Sequence, residues 1–392
     1  MSNHPASVPF LSIGFRPFFF FGILFSCISG ALWTLFWSPL EPLQWSTHWQ
    51  PMGGMMFWHA HEMIMGFVFA IISGFLLTAV QNWTGLRTTT PLTLSLLLLT
   101  WLAARIAFLL SDLLEPWLLI AVQVTPIFAL MMAIGTPIVL AKMWRNLFVV
   151  AALLLLAINE IRLLINLDNG VLNHQLLIAQ IFIILLYISM IAGRVLPFFM
   201  ASRLGIAKTQ EPKPLFLSCT LPLVLLCLNL SFYGSQLISI SLLLVLAAAH
   251  SLRIRNWYTD KVWQEPMLYS LFISYVSLPL GFFLIAINES FQLGWANTPL
   301  HILTLGSMGG LIIAMVGRVS LGHTGRKIQA VSAIKIALIL IVLAFIFRVI
   351  VPMGFDWHPA FMAISGLSWT LAFASLFIYF AKIWVQPRPD GR

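Results

Sequence analysis

Long apolar runs follow one another along nearly the whole chain, and short segments with turn residues or charges separate them. Each run has about 20 residues, which is the length needed to cross a bilayer core. The pattern predicts an all-α polytopic membrane protein with twelve transmembrane helices. We place these helices at 18–38, 57–81, 92–111, 116–142, 147–167, 173–197, 214–233, 235–254, 266–288, 298–317, 331–351 and 359–385.

Charged residues between the runs predict how the helices are oriented. Most of the 21 Lys and Arg residues lie in the N-terminal tail, in the segments after even-numbered helices, or in the C-terminal tail. The other connections carry Asp and Glu instead, among them Asp112, Asp168 and Glu289. Cytoplasmic loops of membrane proteins are enriched in Lys and Arg. We therefore predict that both termini are cytoplasmic.

Composition supports the membrane assignment and excludes several other classes. Charged residues make up 8% of the chain, mean hydropathy is +0.97, and soluble domains carry about 25% charged residues. The net charge of +9 is spread over alternate loops without a basic block, so we expect no nucleic-acid partner. The three cysteines lie singly in apolar runs without a CxxCH motif, which excludes c-type haem attachment and a thiolate zinc site.

The second apolar run opens with an unusual polar group, formed by His59, His61, Glu62 and Met63. An ionisable side chain in the membrane costs roughly 2 to 3 kcal/mol even on mild scales, so such groups usually face a cavity, a cofactor or each other. His59 and His61 lie about 200° apart on a regular helix and cannot both ligate one metal. Either they serve two different centres, or one is a ligand and the other reaches towards the interface.

Histidines gather on the predicted outer side, where six of the nine are found. Imidazole is the commonest metal ligand in proteins and suits haem iron and copper. His59 or His61 opposite His301 would supply the two axial ligands of a haem. The other helix 2 histidine, with His174, could hold a copper or a second haem, and Met63 is a candidate soft ligand. The six outer histidines are His48, His59, His61, His174, His301 and His358.

Three glutamates are predicted near the same outer level. Glu62, Glu160 and Glu289 could carry protons or orient ligating histidines, and Glu62 and Glu289 are the candidates for a catalytic role. The alternative is that each glutamate pairs with a buried arginine. For Glu160 this alternative is slightly favoured, with Arg162, Arg105 or Arg348 as partner.

The sequence also repeats itself. An ungapped offset of 240 aligns His61 with His301, and an offset of 243 relates Arg105 to Arg348. A weaker offset of 113 relates His61 to His174. We predict one membrane domain, 1–392, built from parallel four-helix units at 1–145, 146–258 and 259–392. An axis along the membrane normal would then bring helices 2, 6 and 10 to equivalent positions.

The stretch 318–326 belongs to the other end of the predicted bundle. His301 and His323 are separated by 22 residues, or about 33 Å of helix, so His323 is not expected at the outer site. Glycine and threonine in this stretch favour a tight turn and a helix cap. The alternative is that Arg326 contacts an anion or a haem propionate.

Several motifs together resemble the NnrS family of bacterial membrane proteins. They are 14–19 (GFRPFF), 58–63 (WHAHEM), 74–80 (GFLLTAV), 82–85 (NWTG), 193–199 (GRVLPFF), 301–306 (HILTLG) and 318–326. The resemblance implies b-type haem and copper, a bacterial inner membrane location and a role in nitric oxide stress. The architecture is also similar to haem-copper oxidases and nitric oxide reductases, which use a His-x-His pair to serve two centres.

The resulting functional hypothesis is a haem and copper protein in the lipid bilayer that binds or turns over nitric oxide at the outer face, with an oxidoreductase as the candidate enzyme class. Without a dinucleotide motif or soluble cofactor domain, its electrons would come from quinol or a redox protein. One alternative is a transporter or carrier of metal or haem, although the parallel repeats disfavour it. Another is a sensor or assembly factor that uses the same cofactors without catalysis.

Overall fold

The computed structural model describes residues 9–38, 51–295, 297–350 and 359–390. All regular structure in these residues is helical, and twelve helices are long and apolar enough to cross a membrane. The predicted class, an all-α multi-pass membrane protein, is confirmed. The helices are α1 Phe15–Phe36, α2 Gly54–Thr84, α3 Pro91–Leu109, α4 Pro116–Leu140, α5 Trp144–Ile165, α6 Gly170–Leu204, α7 Lys213–Tyr233, α8 Gln236–Trp257, α9 Pro266–Phe291, α10 Thr298–His323, α11 Ser332–Ile350 and α12 Pro359–Val385.

Two helices continue clearly beyond their predicted ends. The sequence prediction ended helix 6 at Pro197, but Pro197 and Met200 are buried and α6 continues to Leu204. It ends at Gly205, whose φ of 65° is the left-handed conformation typical of a helix C-terminus. Likewise, the stretch predicted as a turn after residue 317 stays helical to His323, and the turn comes at Gly325. Both helices continue past their predicted ends because residues beyond those ends are buried against the rest of the bundle.

Some predicted features fall outside the described residues. They include His4, His48 and His358, and the predicted last residue of helix 11.

Short connections reverse the chain between successive helices, so the helices alternate in direction. We call the end where α2, α6 and α10 begin the histidine end, and the opposite end the arginine end. The first and last helices, α1 and α12, pack side by side. Arg16 joins them at the arginine end by donating from Nη1 to the main-chain oxygens of Pro9, Trp384 and Gln386. The first and last helices of the bundle are therefore in direct contact.

Every fourth helix is the most deeply buried. In the most apolar 18-residue stretch of each helix, the buried share is 89% in α2, 78% in α6 and 72% in α10. Among the described residues, no other helix exceeds a buried share of 56%. These three helices are therefore surrounded mainly by protein, and the others leave apolar faces for the bilayer. The division into three four-helix units stays a prediction.

The helices α2 and α10 each contain a π-helical segment near the histidine end. The segments run over Glu62–Val68 and Ile302–Gly309 and begin directly after His61 and His301. Their first residues are again 240 positions apart. Such segments occur mostly as short insertions in α-helices and often mark functional sites. In α2 the segment is held from the side by Trp101, whose Nε1 donates to the Gly66 oxygen at 3.0 Å.

Candidate haem and metal site

A mainly apolar cavity lies at the histidine end between α1, α2, α6, α10, α11 and α12. We call it the histidine cavity, because three of the predicted histidine ligands line it. Apolar and aromatic residues form most of its wall, as is usual for cofactor sites, where a few polar groups set the orientation. Its residues of chemical interest are Trp33, His59, Met63, His174, His301 and Arg348.

His59 enters this cavity from α2 with an unused ring nitrogen. Its ring stacks on Trp33 of α1, with ring centroids 3.9 Å apart and planes 21° from parallel. Its Nδ1 is buried and has no hydrogen-bond partner among the described residues. Because buried polar atoms are nearly always satisfied, this orphaned nitrogen indicates a missing ligand. The stacked ring has the fixed orientation that an axial ligand needs.

His301 enters the same cavity from α10. Its Nδ1 lies 2.9 Å from the main-chain oxygen of Asn297, and since a carbonyl only accepts, Nδ1 carries the proton. The lone pair is then on Nε2, the usual arrangement of a ligating histidine with a backbone acceptor. His174 of α6 is linked to the same turn, because its Nε2 lies 3.0 Å from Asn297 Oδ1.

His61 has different surroundings from His59, although they are two residues apart. It does not line the histidine cavity, and its ring is stacked on Phe108 with ring centroids 4.2 Å apart. Its Nδ1 lies 2.9 Å from Glu62 Oε1 and its Nε2 lies 2.8 Å from Glu160 Oε1. With both nitrogens occupied by carboxylates, His61 has no lone pair free for a metal.

The two carboxylates connect His61 to a wider buried network across five helices. Glu62 also pairs with Arg105 of α3, and Arg105 Nη2 donates to Gln123 Oε1 of α4 at 2.7 Å. On the other side, Gln180 Nε2 of α6 donates to Glu160 Oε2 at 2.8 Å. We call this group the carboxylate network. All its members are buried, and their charges are matched by cationic or donor groups.

The expected pairing of Glu160 with an arginine is therefore wrong. Glu160 contacts His61 and Gln180, whereas Arg105 is paired with Glu62. The cause is geometric: His61 projects between α3 and α5, and its two nitrogens separate the carboxylates. The predicted link between a glutamate and a buried arginine exists, but through Glu62.

Glu289 lies apart from both groups. Its carboxylate accepts from Gln236 Nε2 of α8 at 3.0 Å, and it does not line the histidine cavity. Of the two glutamates predicted for catalysis, only Glu62 is thus near the histidines. Met63 lines the cavity together with His59.

The donor set of the cavity suits a haem better than a preassembled copper site. Two imidazoles from separate helices, one with an orphaned nitrogen, match bis-histidine ligation of a haem by α2 and α10. By contrast, the described residues contain no group of three or more His, Cys, Asp or Glu placed to hold a metal ion.

The sequence reasoning missed the amides and rings that hold these side chains. Gln123 and Gln180 are fully buried in largely apolar helices. A lone amide in a membrane helix is costly unless it finds a partner, so both could have been flagged. The stacking of Trp33 and Phe108 on histidines had no such signal, since aromatic residues are frequent throughout the chain.

A second buried polar cluster lies at the arginine end. Arg253 of α8 pairs with Glu211 and donates to Ser189 Oγ and to Tyr275 at 3.0 Å each. The Tyr275 hydroxyl is also 2.8 Å from His250 Nδ1. This cluster joins α6, α8 and α9 to the connection before α7. It compensates a buried charge and stabilises that end of the bundle.

The twelve membrane-length helices and the histidine-lined cavity define the chain as a multi-pass membrane protein with a candidate cofactor site. The model of the NnrS protein family matches residues 9–388, nearly the whole chain, so this chain is a member of that family. Membership fits a membrane protein connected with nitric oxide. No curated protein matches the sequence.

Proposed function

We propose that this chain is a haem protein of nitric oxide metabolism, with His59 and His301 as the two protein ligands. The observation that carries the proposal is that two imidazoles, from α2 and α10, line the same largely apolar cavity. The Nδ1 of His59 has no partner among the described residues, and the Nδ1 hydrogen of His301 is bonded to a main-chain carbonyl. Family membership supplies the link to nitric oxide and haem.

A haem bound there would supply one-electron chemistry, and its iron would bind nitric oxide once one of the two histidines is displaced. The residues of the chain have separate tasks around it. Stacking on Trp33 fixes the ring of His59, and the Asn297 carbonyl fixes that of His301. The apolar wall excludes water, which favours an uncharged diatomic ligand such as nitric oxide over ionic competitors.

The carboxylate network has a supporting role in this proposal. It fixes the beginning of α2 through His61 and Glu62, and His59 lies in the same turn of helix. Side chains that hold a ligand-bearing element in place affect affinity without touching the metal. The imidazole of His61, held between the carboxylates of Glu62 and Glu160, also gives the protein a place to hold a proton beside the cavity.

Several further parts of the proposal rest on sequence and family alone. We place the protein in the bacterial inner membrane with both termini cytoplasmic, because Lys and Arg are concentrated in alternate connections. The histidine cavity then opens towards the periplasm, and quinol or a redox protein supplies electrons. Copper, which the family resemblance implies, is assigned to no described residue.

The test is the optical spectrum of the full chain purified in detergent after expression with haem and copper supplied. Spectra would be recorded oxidised, dithionite-reduced and after addition of nitric oxide, with iron and copper measured on the same samples. We expect a Soret band, a sharp reduced α-band and a shift on nitric oxide addition. Protein absorption alone would overturn the proposal.

Ligand variants make this test specific. His59→Ala and His301→Ala are each expected to remove most of the Soret band at normal folded yield. His323→Ala is the matched control, because His323 lies at the arginine end of α10 and should leave the spectrum unchanged. Full retention of the spectrum in both cavity variants would exclude the assigned ligand pair.

A further inference from the structure

The histidine cavity contains one charged group that the proposed ligands do not explain. Arg348 lies in the π-helical segment Ile346–Ile350 at the end of α11 and lines the cavity. Among the residues that the structure describes, no hydrogen-bond acceptor and no carboxylate within 4.0 Å is found for it. A guanidinium cannot lose its charge in a protein, so burial does not neutralise it.

An unpaired cation in these surroundings is costly. Arg348 is mostly buried, and the wall around it is largely apolar. Charged side chains inside membrane proteins almost always pair with another group or mark a ligand pathway. Since the described part of the chain supplies no anion, the compensating charge is expected on the molecule that occupies the cavity.

The rest of the bundle shows how the protein treats arginines when it does supply the anion. Arg105, which a near-identical sequence offset relates to Arg348, is paired with Glu62 and Gln123. The residue 240 positions after Glu62 is Ile302, whose side chain cannot accept a hydrogen bond. At the position that this offset relates to Glu62, an apolar side chain therefore stands where Arg105 has its acceptor, although both positions have an arginine nearby in sequence alignment.

We infer that Arg348 binds a carboxylate of the cavity's occupant, and that this occupant is an amphipathic macrocycle with acidic side arms. The inference rests on the proposed function, because His59 and His301 would hold the centre of the same molecule. Guanidinium is the side chain best suited to grip a carboxylate, through two parallel N–H donors. Arg348 would then hold the acidic side arms of the macrocycle, while the two histidines hold its centre.

The test compares two porphyrins that differ only in this group. Cofactor-free full-length protein, purified from haem-limited cells, would be titrated with iron protoporphyrin IX and with its dimethyl ester, following the Soret band. The unsubstituted chain is expected to bind the diacid at least about tenfold more tightly than the diester. Arg348→Gln should weaken binding of the diacid about tenfold and leave the diester unchanged.

Two further variants control the comparison. Arg348→Lys keeps the charge and should retain part of the preference for the diacid, which also covers the case in which Arg348→Gln folds poorly. Arg162→Gln is the matched control, because Arg162 is another arginine of the histidine end but donates to the Ser231 main-chain oxygen and lies outside the cavity. It should behave like the unsubstituted chain.

Each remaining outcome has a definite meaning. Equal binding of diacid and diester by the unsubstituted chain would overturn the inference and leave the proposed function intact. Failure of both porphyrins to bind would overturn the proposed function, and the inference would fall with it. A third outcome is that the unsubstituted chain binds a small oxyanion such as nitrite, that Arg348→Gln loses this binding, and that neither chain prefers the diacid. Arg348 would then bind a free anion, and the macrocycle assignment would be overturned.

Discussion

The helices α2 and α10 begin with similar sequence and lead to different chemistry. In α2, His61 is followed by Glu62, and the two join Arg105, Glu160 and two glutamines in a closed network. In α10, His301 is followed by Ile302, and the histidine faces an open cavity beside Arg348, for which the described residues provide no carboxylate or other acceptor. Polar groups that satisfy one another stabilise the bundle, whereas those left unsatisfied are available to a ligand.

The comparison also separates His59 from His61. The two residues belong to the same turn, yet one faces the cavity and the other faces the network. The histidine with carboxylates on both nitrogens is the structural one, and the histidine with an orphaned nitrogen is the candidate ligand. The predictions below test whether this division between structural and ligand-binding groups is real.

The largest contrast is expected between the two arginines. In the cofactor-free chain, Arg105→Met would leave Glu62 without its cation and Gln123 without a donor. Breaking one side of a buried pair costs about 3 to 5 kcal/mol, so the free energy of unfolding should fall by about that amount. Arg348→Met removes an unpaired charge and should leave this free energy unchanged or raise it by about 1 kcal/mol.

Both values would be measured by titrating the detergent-purified chains with a denaturing detergent and following aromatic circular dichroism. The two variants are controls for each other, since the substitution and the end of the bundle are the same. An equal loss of stability in both would contradict the comparison. Arg348 would then have a partner within the protein, and no ligand would be needed to explain it.

How much of this division was predictable depends on the kind of signal. The number of helices and most of their positions followed from apolar runs of membrane length, since lipid requires continuous helices. The cavity residues His59, His174 and His301 could be singled out because ionisable groups in membranes are costly. The offset of 240 pointed to the same level of α2 and α10 before any geometry was known.

The choice between His59 and His61 was not predictable. Helical geometry gives the angle between the two side chains, but which neighbours each one meets depends on how α1, α3 and α5 pack around α2. The π-helical segments that follow His61 and His301 change this geometry further, and no hydrophobic pattern announces them. For the same reason the partner of Glu160 was wrongly expected to be an arginine.

A second, smaller contrast is expected between the two histidines of α2. His61→Ala removes a donor shared by two buried carboxylates and should lower the free energy of unfolding by about 2 to 4 kcal/mol. His59→Ala should cost only the stacking on Trp33, about 0.5 to 1.5 kcal/mol. The haem signal should behave in the opposite way, with loss in His59→Ala and retention per folded molecule in His61→Ala.

The two variants are compared by their Soret absorbance per mole of folded protein and by their free energy of unfolding from the denaturing-detergent titration. A folded His61→Ala protein that lacks a Soret band even with excess haem would make His61 a ligand, as one of the sequence hypotheses allowed, because the loss of a supporting contact only weakens haem binding. A His59→Ala protein with a normal Soret band would place the haem elsewhere.

The smallest effect is expected at Asn297, which connects the histidines of α6 and α10. Asn297→Ala removes the acceptor of His174 Nε2 but keeps the main-chain oxygen that accepts from His301 Nδ1. Stability should therefore fall by about 0.5 to 1.5 kcal/mol, the net value of one hydrogen bond, and the reduced α-band should not move.

His174→Ala is the matched control, because it removes the other side of the same hydrogen bond and should give the same small loss. If the α-band shifts in both variants, His174 acts on the bound group, and the ligand set extends beyond His59 and His301. If it shifts only in Asn297→Ala, the side chain of Asn297 orients His301, and the backbone carbonyl is not sufficient for that task.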